Sequence, residues 1–139
     1  SITAEIEPTT NQYLGNHPLL VVDANLKNLL QLTPMLEQSG LRVTAAEDDN
    51  EALEAMAEEK FALALIDITL PCDNCCDTIR TIKQAQQIPV IAMISGENDE
   101  TMEKCLAAGA DALLQKPINT GQLNGLLLQF LPSEAVETE

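Results

Sequence analysis

The sequence predicts an α/β fold: a parallel sheet of about five strands joined by crossover helices. Two observations predict it. Apolar runs of strand length alternate with stretches of helical periodicity along the chain. The runs near residues 19–22, 62–66 and 90–94 are continuously apolar, as in strands covered on both faces. Shorter runs near residues 41–45 and 112–114 complete the expected set of strands.

Helices are predicted between these runs. Residues 26–38 carry leucines at helical spacing, with Asn25 placed as the N-cap and Gly40 as the stop. Pro34 is expected to kink or shorten this helix. The same periodicity predicts helices over residues 49–59, 97–108 and 120–131. The predicted apolar face of the first helix comprises Leu26, Leu29, Leu30, Leu32 and Leu36.

Composition limits the classes of function. A chain of 139 residues fits one domain, and residues 18–131 are predicted to form it, with 1–17 as a linker and 132–139 as an acidic tail. The 22 acidic and 7 basic residues give a formal charge of −15, so we expect no nucleic acid and no direct membrane contact. No apolar run approaches the roughly 20 residues of a membrane span, no signal peptide is visible, and the expected location is the cytoplasm.

Polar side chains follow the predicted strands where each one ends. They are Asp23, Asp67, Ser95 and Lys116. The carboxyl ends of parallel strands meet at one edge of a sheet, and the crevice there is where open α/β sheets bind ligands. Each residue alone would be a turn former, a helix cap or a solvated charge. Two carboxylates, a hydroxyl and an ammonium at one edge together predict a site that handles phosphate.

These strand ends resemble the receiver domain of two-component response regulators. The segment LLVVDAN at 19–25 is similar to that family's first strand and acidic turn, and ALIDITLP at 64–71 to its phosphoacceptor strand. IAMIS at 91–95 is similar to the strand that ends in Ser or Thr, and LQKPI at 114–118 to its Lys-Pro turn. The resemblance covers about residues 19–131. It implies a CheY-like, doubly wound sheet of five parallel strands in the order 2-1-3-4-5, with five helices.

Finer features resemble the receivers of hybrid sensor histidine kinases. They are the N-x-x-N pattern of Asn25 and Asn28 and the segment EKCLAAGAD at 103–111. The resemblance implies that a kinase histidine phosphorylates Asp67, which then passes the phosphoryl group to a histidine phosphotransfer domain. Docking is expected around the first helix. The chain would be a receiver within such a kinase, either a cytoplasmic one or the cytoplasmic portion of a membrane-anchored one, and not a conventional enzyme by itself.

The resemblance also implies a role for each site residue. Asp67 would be the nucleophile and a ligand of Mg²⁺, with the backbone carbonyl of Thr69 and the carboxylate of Asp23 completing the protein's share of the metal site. Lys116 would hold one phosphoryl oxygen as a point charge. Ser95 would hydrogen-bond another oxygen and report phosphorylation by moving toward it.

The chain departs from the family pattern at three places. Receivers carry two adjacent acids after the first strand, and here Ala24 takes the second position, which should weaken Mg²⁺ binding. Leu113 stands where an aromatic residue is usual, and Cys75 stands where glycine is usual, so the start of the third helix is expected to be remodelled. The alternative function is a pseudo-receiver, an interaction module that is not phosphorylated because its acidic site is incomplete.

Three further hypotheses follow from the residues. Cys72-x-x-Cys75 could bind zinc or cycle as a disulfide. The remaining zinc ligands could come only from Cys76, from Cys105, which is expected in the core, and from His17. Free thiols are the preferred interpretation. An unrelated phosphatase with a strand-end Asp would need an acid where Thr69 stands, and a flavin site would need a hydroxyl- and glycine-rich loop after the first strand.

Overall fold

Five parallel strands form one sheet in a computed structural model that describes residues 13–69 and 75–132. The strands are β1 (Pro18–Val22), β2 (Arg42–Ala46), β3 (Leu63–Ile68), β4 (Val90–Ser95) and β5 (Ala112–Lys116). The helices are α1 (Leu26–Glu37), α2 (Asp49–Glu58), α3 (Cys75–Ala85), α4 (Asp99–Ala108) and α5 (Thr120–Phe130). The spatial order β2-β1-β3-β4-β5 confirms the predicted fold class and strand order.

The core lies in two layers, one on each face of the sheet. β1, β3 and β4 are buried along nearly their whole length, whereas β2 and β5 at the edges are partly exposed. One layer packs α2, α3 and α4 against the sheet through residues such as Met56, Ile79 and Cys105. The other packs α1 and α5 through Leu36 and Leu127 among others. This burial on both faces explains why the central strands are continuously apolar.

The first helix differs from its prediction in two respects. Pro34 does not end α1, which continues to Glu37. The expected N-cap is present, since the side chain of Asn25 accepts from the backbone N–H of Lys27 at 2.9 Å. Leu26 and Leu30 were expected on the buried face but are 60% and 66% exposed. The stripe of Leu29, Leu32 and Leu36 already covers the sheet, so the other two leucines lie on a solvent face.

The described end of the predicted linker packs onto the domain. Leu14 is buried and its backbone N–H donates to the carbonyl oxygen of Ser39 at 2.7 Å. The ring of Tyr13 lies over Gly40, whose φ is +95°, where a Cβ would overlap the ring. Nε2 of His17 is 3.0 Å from the carbonyl oxygen of Pro132. Residues 13–17 therefore contact the α1–β2 turn and the end of the domain.

Candidate functional site at the carboxyl edge of the sheet

One cleft at the carboxyl edge of the sheet brings together all of the predicted site residues. Its volume is about 750 Å³. Asp67 lies near the end of β3, Ser95 and Lys116 end β4 and β5, and Asp23 directly follows β1. The full lining is Asp23, Ala24, Asn25, Asn28, Asp67, Thr69, Ser95 and Lys116. Parallel pairing of the strands positions this set, because Val22 is beside Ile66 and Ser95 is beside Lys116 in the register.

Asp67 accepts contacts from two side chains of the cleft. Nζ of Lys116 contacts its Oδ1, and the hydroxyl of Thr69 donates to its Oδ2 at 3.1 Å. The carboxylate is 8% exposed, so its charge is balanced mainly by Lys116 and by this hydroxyl. The hydroxyl contact of Thr69 was missed by the sequence reasoning, which used only its carbonyl. The available signal was a hydroxyl residue two positions after a strand-end acid, a common local hydrogen-bonding pattern.

Asp23 is anchored to the first turns of α1. It is 3% exposed, and its Oδ1 accepts from the backbone N–H of Asn25 at 2.9 Å. Its Oδ2 accepts from the side-chain amide of Asn28 at 3.2 Å. A buried carboxylate needs such donors, since an uncompensated charge away from water is costly. The sequence singled out Asn28 as part of a pattern but did not predict this contact.

Ala24 and Ser95 are both exposed at the cleft. Ala24 contributes a methyl group where a second carboxylate would add an anionic oxygen. Ser95 is followed by Gly96, whose φ of +71° lies in the left-handed region that favours glycine. The amide Nε2 of Gln115 donates to the carbonyl oxygen of Gly96 at 3.2 Å, which ties this turn to β5.

The oxygen donors of the cleft fit a hard divalent cation. Two carboxylates, Asp23 and Asp67, face the same cleft as Thr69, and Mg²⁺ uses few protein ligands because it keeps several waters. Across residues 13–69 and 75–132 there is no group of three or more His, Cys, Asp or Glu side chains that could hold a metal. A magnesium site here would therefore rest on two carboxylates and a backbone carbonyl.

A second cleft, of about 400 Å³, adjoins the first along α1. Asp23, Asn28 and Lys116 line both clefts. The remaining walls of the second cleft come from α1, β4 and the turn after β5, and its lining is mostly apolar. These walls are Gln31, Leu32, Met35, Met93, Pro117 and Ile118.

The fold and this cleft are those of a response regulator receiver domain. The sequence model of the response regulator receiver domain family matches residues 19–127, most of the chain, so the chain belongs to that family. The Escherichia coli signal transduction histidine-protein kinase BarA is 30% identical over 134 residues, which are 94% of this chain. A probable histidine kinase 1 of rice is 26% identical over 84% of the chain. The chain spans 15% and 16% of the lengths of these two relatives.

Solved structures give the same assignment. The receiver domain of a sensor histidine kinase from Pseudomonas aeruginosa is 26% identical, with a TM-score of 0.72 over 83% of this chain and 97% of that one. It was solved with a magnesium ion coordinated in its active site cleft. A Burkholderia pseudomallei response regulator with a phosphorylated aspartic acid is 27% identical, with a TM-score of 0.72 over 88% of this chain and 70% of that one. The predicted resemblance to receivers of hybrid sensor kinases is confirmed.

Within the described ranges, no helix is long and apolar enough to cross a membrane. Cys72 lies outside the described residues, as does the side chain of Cys75, so the disulfide hypothesis for this pair stays a prediction. α3 begins at Cys75, and residues 70–74 lie outside the described part, so the expected remodelling at the start of this helix stays a prediction.

Cys105 is fully buried on α4, as predicted, beside the buried Cys76 of α3. Burial, and then the charge and hydrogen bond of the Cys76 thiol, raise the pKa of Cys105 from 9.0 to about 11. A thiol with a raised pKa in an apolar site stays protonated and is a poor nucleophile. Cys105 therefore behaves as a core residue.

Raising the pH should reveal this shift as a loss of stability. The contribution of the Cys105 thiol to the free energy of unfolding is fully present below pH 9.0, where the thiol is protonated in both the folded and the unfolded state. This contribution declines as the pH rises toward about 11. The reason is that the unfolded chain releases this proton first. Urea unfolding followed by circular dichroism between pH 8 and 11 measures it. Cys105→Ala should show a shallower decline, and parallel curves for the two proteins would contradict the assignment.

Proposed function

We propose that the chain is a phosphoacceptor receiver of a phosphorelay, in which Asp67 takes a phosphoryl group from a kinase histidine and passes it to a histidine phosphotransfer domain. One observation carries the proposal. A low-exposure carboxylate, Asp67, is contacted by a lysine amino group at the mouth of an open cleft. A nucleophile beside a cation that can move to the transferred group is what phosphoryl transfer requires.

The residues divide the chemistry between them. An oxygen of Asp67 attacks phosphorus, an oxygen–phosphorus bond forms, and the phosphorus–nitrogen bond of the donor phosphohistidine breaks. The electron pair of that bond stays on the imidazole, which then takes up a proton. Lys116 moves from the carboxylate to a phosphoryl oxygen, and the hydroxyl of Ser95 donates to another. The reverse sequence transfers the group to the histidine of the next domain.

Asp23, Asp67 and the carbonyl of Thr69 would hold Mg²⁺ in this cleft. When bound, the ion neutralises charge on the phosphoryl oxygens during transfer. The magnesium in the Pseudomonas receiver supports this assignment, as do the oxygen donors that share the cleft here. Because Ala24 supplies no carboxylate, we expect the affinity for Mg²⁺ to be low.

The partner is proposed to dock on the exposed face of α1. Leu26 and Leu30 are four residues apart and so lie on the same helix face. Both leucines are exposed. The same helix lines the cleft that contains Asp67, through Asn28. A histidine phosphotransfer domain must bring its imidazole to Asp67, so an apolar contact beside the cleft suits it. The acidic surface of this chain would speed association with a partner whose docking face is basic.

Replacing Asp67 with Asn should abolish phosphorylation, because an amide is not a nucleophile toward phosphorus. With acetyl phosphate and Mg²⁺, intact-mass measurement of the wild type should show the gain of one phosphoryl group. Beryllium fluoride with Mg²⁺ should shift the amide resonances around Ser95 and Lys116. Asp67→Asn should lose both responses.

Asp99→Asn is the matched control, since Asp99 is an exposed acid in the first turn of α4. This variant should respond as the wild type does. A wild type that shows neither a mass gain nor amide shifts at millimolar Mg²⁺ would contradict the proposal. That result would favour the pseudo-receiver, for which Ala24 is the supporting feature.

Replacing Ala24 with Asp should strengthen Mg²⁺ binding about tenfold, because it adds an anionic oxygen to a site with two carboxylates. Titration of Mg²⁺ by calorimetry or by amide shifts measures the dissociation constant. Ala24→Asn is the control for side-chain size without charge and should gain far less. An affinity that stays unchanged in Ala24→Asp would refute the ligand argument.

A charge on the docking face should impair transfer from a partner without affecting the site itself. Leu30→Glu is expected to slow phosphoryl transfer from a phosphorylated histidine phosphotransfer domain about tenfold, as the loss of an apolar anchor does. Leu106→Glu makes the same change at an exposed leucine on α4 and should leave transfer unchanged. Equal rates in the two variants would exclude docking at this face, and an unchanged beryllium fluoride response in Leu30→Glu shows that the site itself is intact.

A further inference from the structure

We propose that Asn28 is a positioning residue for the metal site, acting through the carboxylate of Asp23. This inference rests on the proposed function and concerns how a cleft with one acid fewer than usual holds its cation. The structural basis is the hydrogen bond from Nδ2 of Asn28 to Oδ2 of Asp23, at 3.2 Å.

Asp23 depends on donors from α1 for its orientation. Its Oδ1 accepts from the backbone N–H of Asn25, and this contact alone would leave the carboxylate free to rotate about one fixed oxygen. The amide of Asn28 holds the second oxygen. At 3% exposure the carboxylate has little water to replace either donor. The pair of contacts therefore fixes the plane of the carboxylate.

The alanine at position 24 makes the orientation of the Asp23 carboxylate more important. The β1–α1 turn offers one carboxylate, Asp23, since Ala24 has none. Partners that hydrogen-bond to ligating carboxylates orient them, and losing such a partner lowers metal affinity about 10- to 100-fold. Among the described residues that line the cleft, Asp67 is then the one remaining acid when the orientation of Asp23 is lost.

The test is a matched pair of substitutions in the full 139-residue chain. Asn28→Leu removes the donor and keeps the bulk of the side chain. Gln31→Leu makes the same kind of change at an exposed residue of α1 that lines the adjoining cleft. Titration of MgCl₂ followed by amide shifts should give a dissociation constant about tenfold higher for Asn28→Leu. Gln31→Leu should stay within about twofold of the wild type.

A double-mutant cycle separates positioning from a general structural role. If Asn28 acts through Asp23, its substitution should have no further effect on Mg²⁺ affinity in an Asp23→Asn background. Additive losses in the cycle would overturn the proposal, and so would equal affinities for Asn28→Leu and Gln31→Leu. Thermal unfolding without metal reports any change in the fold, and Asn28→Ala replaces Asn28→Leu if the latter does not fold.

Different results would overturn the positioning role of Asn28 and the proposed function. A wild type that binds Mg²⁺ and responds to beryllium fluoride, with Asn28→Leu binding equally well, would overturn the positioning role and leave the proposed function intact. A wild type that binds no Mg²⁺ at tens of millimolar would overturn both.

Discussion

The register of the parallel sheet is the constraint on which the site depends. β1 pairs with β3 so that Val22 is beside Ile66, and each of these residues is followed by an acid, Asp23 or Asp67. β4 pairs with β5 so that Ser95 is beside Lys116. A shift of one residue in either pairing would turn these side chains to the opposite face of the sheet. The apolar residues on both faces of the central strands hold the register, so the packing of the core also sets the geometry of the cleft.

Within that frame the charges of the cleft are balanced by specific contacts. Two carboxylates with little exposure face one amino group, and the second carboxylate is compensated by N–H donors from the start of α1. The two acids therefore have different surroundings. Asp67 is paired with the charged amino group of Lys116, whereas Asp23 is held by neutral N–H donors. Under the proposed function, this difference gives the role of nucleophile to Asp67 and that of metal ligand alone to Asp23.

Strand burial and strand-end polarity are local signals, and they predicted the sheet and the four strand-end residues of the cleft, whereas the strand order was implied by the resemblance to receiver domains. The sequence did not predict which leucines of α1 would be buried, since Leu26 and Leu30 fit the helical period equally well. The width of the contact between α1 and the sheet determines which of these leucines are buried. The contacts of Asn28 and of the Thr69 hydroxyl were also missed. They depend on side-chain direction at a turn, and periodicity carries no information about it. Pro34 was expected to kink or shorten α1, and the helix continues past it to Glu37.

The contact between His17 and Pro132 brings the two ends of the described domain together. Both residues lie at the amino edge of the sheet, where β1 begins and to which α5 returns, opposite the edge that carries Asp67. The described residues therefore begin and end at one edge of the sheet, and the cleft lies at the other. Under the proposed function, the effective concentration of Asp67 at a histidine tethered to this domain would be set by the length of the tether.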